Sequence, residues 1–461
     1  MGNEWPLVKI EDIQAQKKGA IAIGPFGSRM KSDCYVSIGI PVIRGTNIDS
    51  GSIFKGNFVY ISKEKADSLG SCNVFKNDLV FPHRGSIGEV GIVEGDAKYV
   101  ISSSLMKLTV DEKKVNPKFL YYFFKSEIGK HELLKNASQV GTPGIGQPLT
   151  SLKSIEYRNP PIAIQNKIEE IISSLDSKIQ LNRETNQTLE AMAQALFKSW
   201  FVDFDPVFDN IIAHNLAHNN APLHNIPEPL LPHAQRRLNV HNVGRGSARQ
   251  TAAHAFHHLF PQAFEQSDEP SVGIQGWVPK GWGVDGLGSF INFSNGKLMK
   301  STVDGLYPLY GANGIIGKTN EIRCSNAIII GRVGAYCGAI KYCPSSFWPS
   351  DNTIVASSTE SEDMLPFILY QLKYLNLNQY AGGAAQPLLN QATLKSIKVS
   401  APSRSACNVF NKTVSEFIIK STNLENEIHV LESLRDTLLP KLISGELRIP
   451  DAEQVSEALA K

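Results

Sequence analysis

Residues 312–319 read ANGIIGKT: a small residue, four more, then Gly-Lys-Thr. This is the loosest form of the loop that cradles nucleotide phosphates in its backbone amides. A working loop of that kind joins a strand to a long helix, whose N-terminus helps hold the phosphates. Here Thr319 runs through NEIRCSN into the strand-like AIIIG, leaving no room for the helix. The glycines are therefore read as turn formers. Asn159-Pro160-Pro161 raises adenine methyl transfer, in which Asn-Pro-Pro and a following aromatic hold a flipped base. The next residue is Ile162 and a helical pattern begins at once, so the prolines read as a stop before a helix. Eight of the eleven histidines bunch in 207–276. His254, His257 and His258 lack an obvious fourth ligand, and His214 and His218 sit among asparagines, so no metal site is assigned. No Ser/His/Asp group or carboxylate pair recurs, and no catalytic site is expected.

What does recur is chemistry for binding. GPFGSRMKSD (24–33) carries Ser28, Arg29 and Lys31; IRGTNI (43–48) carries Arg44, Thr46 and Asn47; HRGSIG (83–88) carries Arg84 and Ser86. Lys297, Lys300, Asn313 and Arg332 partly echo them later in the chain. Arginine and lysine meet phosphates, asparagine and arginine read base edges, and glycine lets a backbone come close. Together they are the candidate nucleic-acid contacts.

The elements that must position them come twice. QPLTSLKSI (147–155) returns as QPLLNQATLKSI (386–397), with Leu152 and Leu394 242 apart. NDLVFPHRGSIGEVGIV (77–93) resembles NAIIIGRVGAYCGAIKY (326–342), pairing Arg84 with Arg332 at 248. Trp5 and Trp282 open the two units 277 apart, so the second unit is 35 residues shorter. Short β-branched runs such as PVIRGTNI, FVYIS and DLVFP predict strands, and PKFLYYFFKSEIGKHELLK predicts a helix opened by Pro117. After each LKSI a heptad seam runs for about five repeats. It is carried by Ile168, Leu175, Asn182, Leu189 and Leu196 in one helix and by Phe410, Phe417, Leu424, Leu431 and Leu438 in the other, weaker at Ser421 and Arg435. A single apolar stripe needs a partner, and the duplicate helix is the natural one. The His- and Asn-rich stretch between the units reads as a partly flexible connector.

Composition sets the outer bounds. With 46 Lys+Arg against 44 Asp+Glu the net charge is only +2, so a nucleic-acid partner must be held by local basic patches. The six cysteines form no CxxC pair and read as free thiols. No apolar run is long enough to span a membrane, and the first residues lack a signal-peptide layout. A cytoplasmic protein is expected.

The order GPFGS, IPVIRGTNI, DLVFPHRGSIGEVGIV, QPLTSLKSI, PPIAIQNKI and ALFKSWFVDFDPV, followed by YPLYGANGIIG, AIIIGRVGAYCG, DNTIVAS and LRDTLLPKLISGEL, resembles the specificity subunit of type I DNA restriction–modification systems. The resemblance implies a mixed α/β fold of two tandem target recognition domains and two long helices paired antiparallel, with a pseudo-two-fold internal repeat. It places domain one at 1–161, its helix at 162–205, the connector at 206–276, domain two at 277–403, its helix at 404–445 and a tail at 446–461. It further implies a bipartite double-stranded DNA target with the helices as a spacer ruler. Two modification subunits would use S-adenosylmethionine to methylate adenine, and two restriction subunits would use ATP and Mg. The chain itself would bind no cofactor and carry no chemistry. Loops shared across the family, such as IRGTN and HRGS, are expected to make backbone or scaffold contacts, and base readers are expected in stretches such as 49–76 and 297–325.

Overall fold

The computed structural model describes residues 5–48, 54–138, 143–219, 221–243, 256–383 and 387–449. The chain divides into two compact units, 1–183 with 426–461 and 184–425. The division falls inside the helices Ile162–Phe201 and Arg404–Ser444, so each unit holds part of both.

Each unit is built around the same four-stranded antiparallel sheet. In the first unit the order is Ile21–Ile23, Leu105–Leu108, Leu79–Pro82, Gly91–Ile92; in the second it is Ile291–Asn295, Thr353–Ser358, Ala327–Gly331, Ile340–Cys343. The strand before each long helix pairs with an early strand of its unit: Glu156–Arg158 with Leu7–Lys9, and Lys398–Ala401 with Gly283–Gly286. A second sheet differs in size. The first unit has five strands and the second three. The shared part is a hairpin whose first strand also pairs in parallel with the strand ahead of the central turn.

A strongly apolar helix packs on each sheet. Pro117–Lys125 is capped by Asn116, whose side chain accepts from the amides of Lys118 and Phe119. Its run Phe119–Phe124 is buried throughout, which marks a helix enclosed on all faces. The predicted single helix is broken at Ser126, which adopts extended backbone and caps a second helix, Glu127–Leu134. The counterpart in the second unit is Leu365–Tyr374.

Within both units the long helices pair antiparallel. In the first, Asn182 Nδ2 donates to Glu427 Oε2 (2.9 Å), Arg183 binds Glu432, and Arg435 Nη1 donates to Asp176 Oδ1 (2.9 Å). In the second, Phe197 and Phe201 both pack on Phe410. Ile168, Leu175, Asn182, Leu189, Phe410 and Leu438 are buried, while Leu196, Phe417, Leu424 and Leu431 are half-buried. An end-to-end alignment of the two seams puts Asn182 opposite Leu424. In the structure the Asn182 amide finds the Glu427 carboxylate, and Ile428 is buried. Arg435 is no weak point: Asp176 also accepts from Tyr122 Oη (3.0 Å), so an ionic clasp ties the helix pair to the apolar helix of that unit.

The connector, expected to be partly flexible, is folded where it is described. Helices Asp205–Asn219 and Leu231–Val243 and the turn Glu228–Leu230 before the second place Phe208, Leu230 and Ala234 in the second unit's core, and Ile212 is buried as well. Arg237 Nε and Nη2 grip Asp209 (2.9 and 2.5 Å), and Arg236 binds Asp205 (2.7 Å). His254 lies outside the described residues. Among these residues no His/Cys/Asp/Glu group is placed to hold a metal, and no helix is long and apolar enough to cross a membrane.

Phe410 is fully buried among Phe197, Phe201 and Tyr370. Phe410→Ala is expected to cost about 3–5 kcal/mol of the second unit's stability, read as an earlier transition in urea unfolding.

Candidate nucleic-acid interface

Three of the candidate loops of the first unit leave from one turn, Ser102–Ser104. Gly24 starts the first loop: a Cβ there would lie 1.8 Å from the Ser102 carbonyl oxygen. Strand Ile40–Ile43 ends with the Ile43 carbonyl accepting from Ser102 N (2.9 Å), and Arg44 follows. His83 N donates to the Ser104 carbonyl (2.9 Å), and Arg84 follows. The second unit repeats this around Ser350–Asn352. A Cβ on Gly296 would lie 1.9 Å from the Ser350 carbonyl, Ser350 N donates to the Tyr310 carbonyl (2.8 Å), and Arg332 N donates to the Asn352 carbonyl (2.9 Å). Only glycine fits where two backbones touch.

This equivalence corrects the pairing of Arg84 with Arg332. Pro82 faces Leu105, and Gly331 faces Thr353. Ile145 N donates to the His83 carbonyl as Leu389 N does to the Arg332 carbonyl. Arg332 therefore stands where His83 stands, one residue away from the match suggested by the shared Arg-Gly and Arg-Val contexts. Both side chains bury a ring or guanidinium nitrogen without a hydrogen-bond partner, His83 Nδ1 and Arg332 Nε.

The hairpin equivalence was not visible in the sequence. Strands Ile40–Ile43 and Val59–Ile61 correspond to Tyr307–Gly311 and Gly314–Thr319. IRGTNI and YGANGIIG thus occupy the same corner. The first unit joins its strands through residues 44–58, the second through Ala312 and Asn313 alone. ANGIIGKT is a tight hairpin with no helix behind it, so the phosphate-loop reading fails on geometry. Asn159 likewise holds the entry to the long helix: its Oδ1 accepts from Tyr157 Oη (3.0 Å) and Gln165 Nε2 (2.9 Å).

The candidate residues separate into two kinds. Ser28, Arg29, Lys31, Thr46, Arg84, Ser86, Lys297, Lys300 and Asn313 are exposed. Arg29 also donates to the Ser68 carbonyl (3.2 Å). Asn47 is 1% exposed and cannot reach a partner: its amide donates to the Lys55 carbonyl (2.8 Å) and its Oδ1 accepts from Arg44 N (3.0 Å). Arg44 is half-buried and donates to the Asn57 carbonyl (2.9 Å). These two shape the hairpin loop from within. Arg332 is half-buried as well. Residues 49–53, within one stretch expected to read bases, lie outside the described residues.

The sheet of the first unit also holds a buried pair, Lys107 and Asp78, with nitrogen and oxygen 3.5 Å apart. Lys107 also donates to the Asn73 carbonyl (2.7 Å), and Asp78 accepts from Thr109. Burial pushes the Lys107 ammonium below its usual range, and Asp78 opposes that shift. Burial likewise pushes the His83 imidazole below its usual value. Its hydrogen bond to the Ser103 carbonyl (3.0 Å) opposes the shift, and Arg84 adds to it.

A family model for the type I restriction modification DNA specificity domain matches residues 3–191 and 279–433. The chain is 28% identical over 447 residues to the HindI specificity subunit of Haemophilus influenzae, covering 87% of this chain and 94% of that one. It is 26% identical over 459 residues to the MjaIX specificity subunit of Methanocaldococcus jannaschii, covering 97% and 94%. Its fold is similar to that of a type I restriction–modification S subunit from M. genitalium, with a TM-score of 0.56 at 18% identity, covering 95% and 96%.

Two outcomes follow for the turn. Gly24→Ala must push the loop off the Ser102 carbonyl and is expected to cost about 1–3 kcal/mol or more. Hydrogen exchange should then speed up at the amides of Gly24, Ser102 and His83, and Gly296→Ala should do the same at Ser350 and Arg332. For His83, the depressed folded pKa means the unfolded chain takes up a proton first. Its contribution to stability is full above about pH 6.5 and is lost as pH falls below that, toward the folded value. Urea unfolding of wild type and His83→Gln across pH 5–8 should show the variant with the flatter profile.

Proposed function

The chain belongs to the type I restriction modification DNA specificity family, and on that premise we propose that it reads a bipartite double-stranded DNA target, one half-site per unit. The observation that carries this is the duplicated turn. Each unit fixes its loops through backbone contacts on a common frame and fills them with different side chains, as two readers of two sequences require. Exposed cations at Arg29, Lys31, Arg84, Lys297 and Lys300 meet phosphates, while Ser28, Thr46, Ser86 and Asn313 are free to approach bases or backbone. Arg44, Asn47 and Arg332 support the loops.

The chain carries no chemistry itself. It docks two modification subunits, which methylate adenine from S-adenosylmethionine, and two restriction subunits, which use ATP and Mg, in the cytoplasm. Paired exposed apolar residues on the helices support two equivalent docking places. Leu181 and Val430 are exposed in the first unit, Met192 and Ile419 in the second. The helix pair acts as a ruler between the half-sites.

The deciding experiment maps modified adenines in DNA treated with the chain plus its modification subunits, with the subunits alone, and with the chain alone. A bipartite motif only in the first case is expected; methyl transfer by the chain alone defeats the reading. The ruler has its own test. One heptad inserted after Arg183 and one after Glu425 keeps the seam in phase and adds roughly 10 Å at 1.5 Å per residue, about three base pairs. On targets differing only in spacer length, the preferred spacer should grow by about two to four. A folded insertion variant that keeps the original preference sinks the ruler.

A further inference from the structure

Between the turn-facing glycine and the first hairpin strand, each unit carries a segment that exposes apolar side chains. Phe26, Tyr35, Val36 and Ile38 stand out on 25–39; Leu298, Val303 and Leu306 stand out on 297–306. Ile38 is 88% exposed and Val303 98%. The two segments differ in length and sequence, yet their placement is the same. Both are pinned at each end. The start is held by Gly24 or Gly296, as above. The end is held by a second glycine against the second hairpin strand: a Cβ on Gly39 would lie 2.3 Å from the Ile61 carbonyl, and one on Gly305 2.4 Å from Thr319 N. Ile61 and Thr319 hold equivalent places in their hairpins. Pinned loops present these side chains in fixed directions.

In the second unit the hairpin extends the same surface. Its register slips between Leu309 and Tyr310, and the bulge leaves Ile315 and Ile316 both exposed, where a regular strand would turn one inward. Thr302 N donates to the Lys318 carbonyl (2.8 Å), so loop and hairpin form one face. Charge around the apolar groups is mostly positive. Arg29 and Lys31 outnumber Asp33 on the first segment; Lys297, Lys300, Lys318 and Arg323 outnumber Asp304 and Glu321 around the second. Exposed apolar surface of this kind marks an interaction site, and the cation excess selects a polyanion as its occupant. A two-stranded ribbon fits the major groove, where the thymine methyl is the apolar group on the base edges. A half-site modified at an adenine has a thymine opposite it.

Resting on the function proposed above, we propose that Ile38 and Val303 are specificity-determining residues that pack on thymine methyls in the major groove, one in each half-site, while the cations beside them hold the flanking phosphates.

The test uses the full chain assembled with its modification subunits and a duplex carrying the mapped target, each thymine in turn replaced by uracil. That exchange removes only the methyl. For wild type, one replacement in each half-site is expected to weaken binding about fourfold, the worth of one buried methyl group. Ile38→Ala should erase the uracil effect in one half-site only, and Val303→Ala in the other. Melting temperatures should be unchanged, because neither side chain belongs to a core. Wild-type binding indifferent to uracil at every position overturns the proposal, and so do variants that keep the full uracil effect. Variants that bind DNA normally but lose the modification subunits also overturn it, and assign the loops to protein docking. A wild-type complex with no preferred duplex defeats the underlying reading instead.

Discussion

Two backbones touch where Gly24 meets the Ser102 carbonyl, and again where Gly296 meets the Ser350 carbonyl. Most of the candidate surface depends on that approach. The turn that supplies the carbonyl also bonds the end of the hairpin strand and the start of the Arg84 or Arg332 loop. Three loops are thus positioned by main-chain atoms, which are the same whatever side chains the loops carry. A side chain at the glycine would separate loop from turn and release all three. The frame therefore tolerates wide variation in loop sequence while allowing none at its centre.

Much of this was legible in the sequence, but unevenly. The duplication could be read because LKSI and the strand that follows it carry buried residues whose pattern packing constrains. The long helices were legible from their heptads. The match of Arg84 to Arg332 failed because identity of one exposed residue type outweighed the strand register, which is set by the buried alternation around it. The hairpin correspondence was hidden by its connection, residues 44–58 in one unit and two residues in the other. Loop length is weakly constrained by stability, so it drifts and breaks any fixed offset. Asn47 stood among the candidate contacts, with a scaffold role as the alternative, for a different reason. An asparagine that bonds its own loop and one that would bond a base look alike in sequence.

The connector shows the same limit from the other side. Its Asn and His content suggests a solvated tether, and the apolar positions that fold it are few. Phe208 and Ile212, with Leu230 and Ala234, are buried and spaced by four, enough for two short helices only because the second unit offers a surface to cover. The arginines at 236 and 237 then neutralise the carboxylates of Asp205 and Asp209. Tertiary context decides such segments, and local pattern does not.

The helix seam follows a different logic. Asn182, 2% exposed, binds Glu427, and Arg435 binds Asp176. Polar pairs in a seam stabilise less than leucines of the same volume, because desolvation offsets much of their attraction. Their value lies in what they forbid. A heptad seam of leucine and isoleucine tolerates a slide of seven residues with little loss, whereas a slide that buries Asn182 or Arg435 against an apolar neighbour leaves a polar group unpaired. Aromatic packing of Phe197, Phe201 and Phe410 restricts the same slide within the second unit. A chain whose proposed task depends on helix length gains more from one enforced register than from the strongest possible seam.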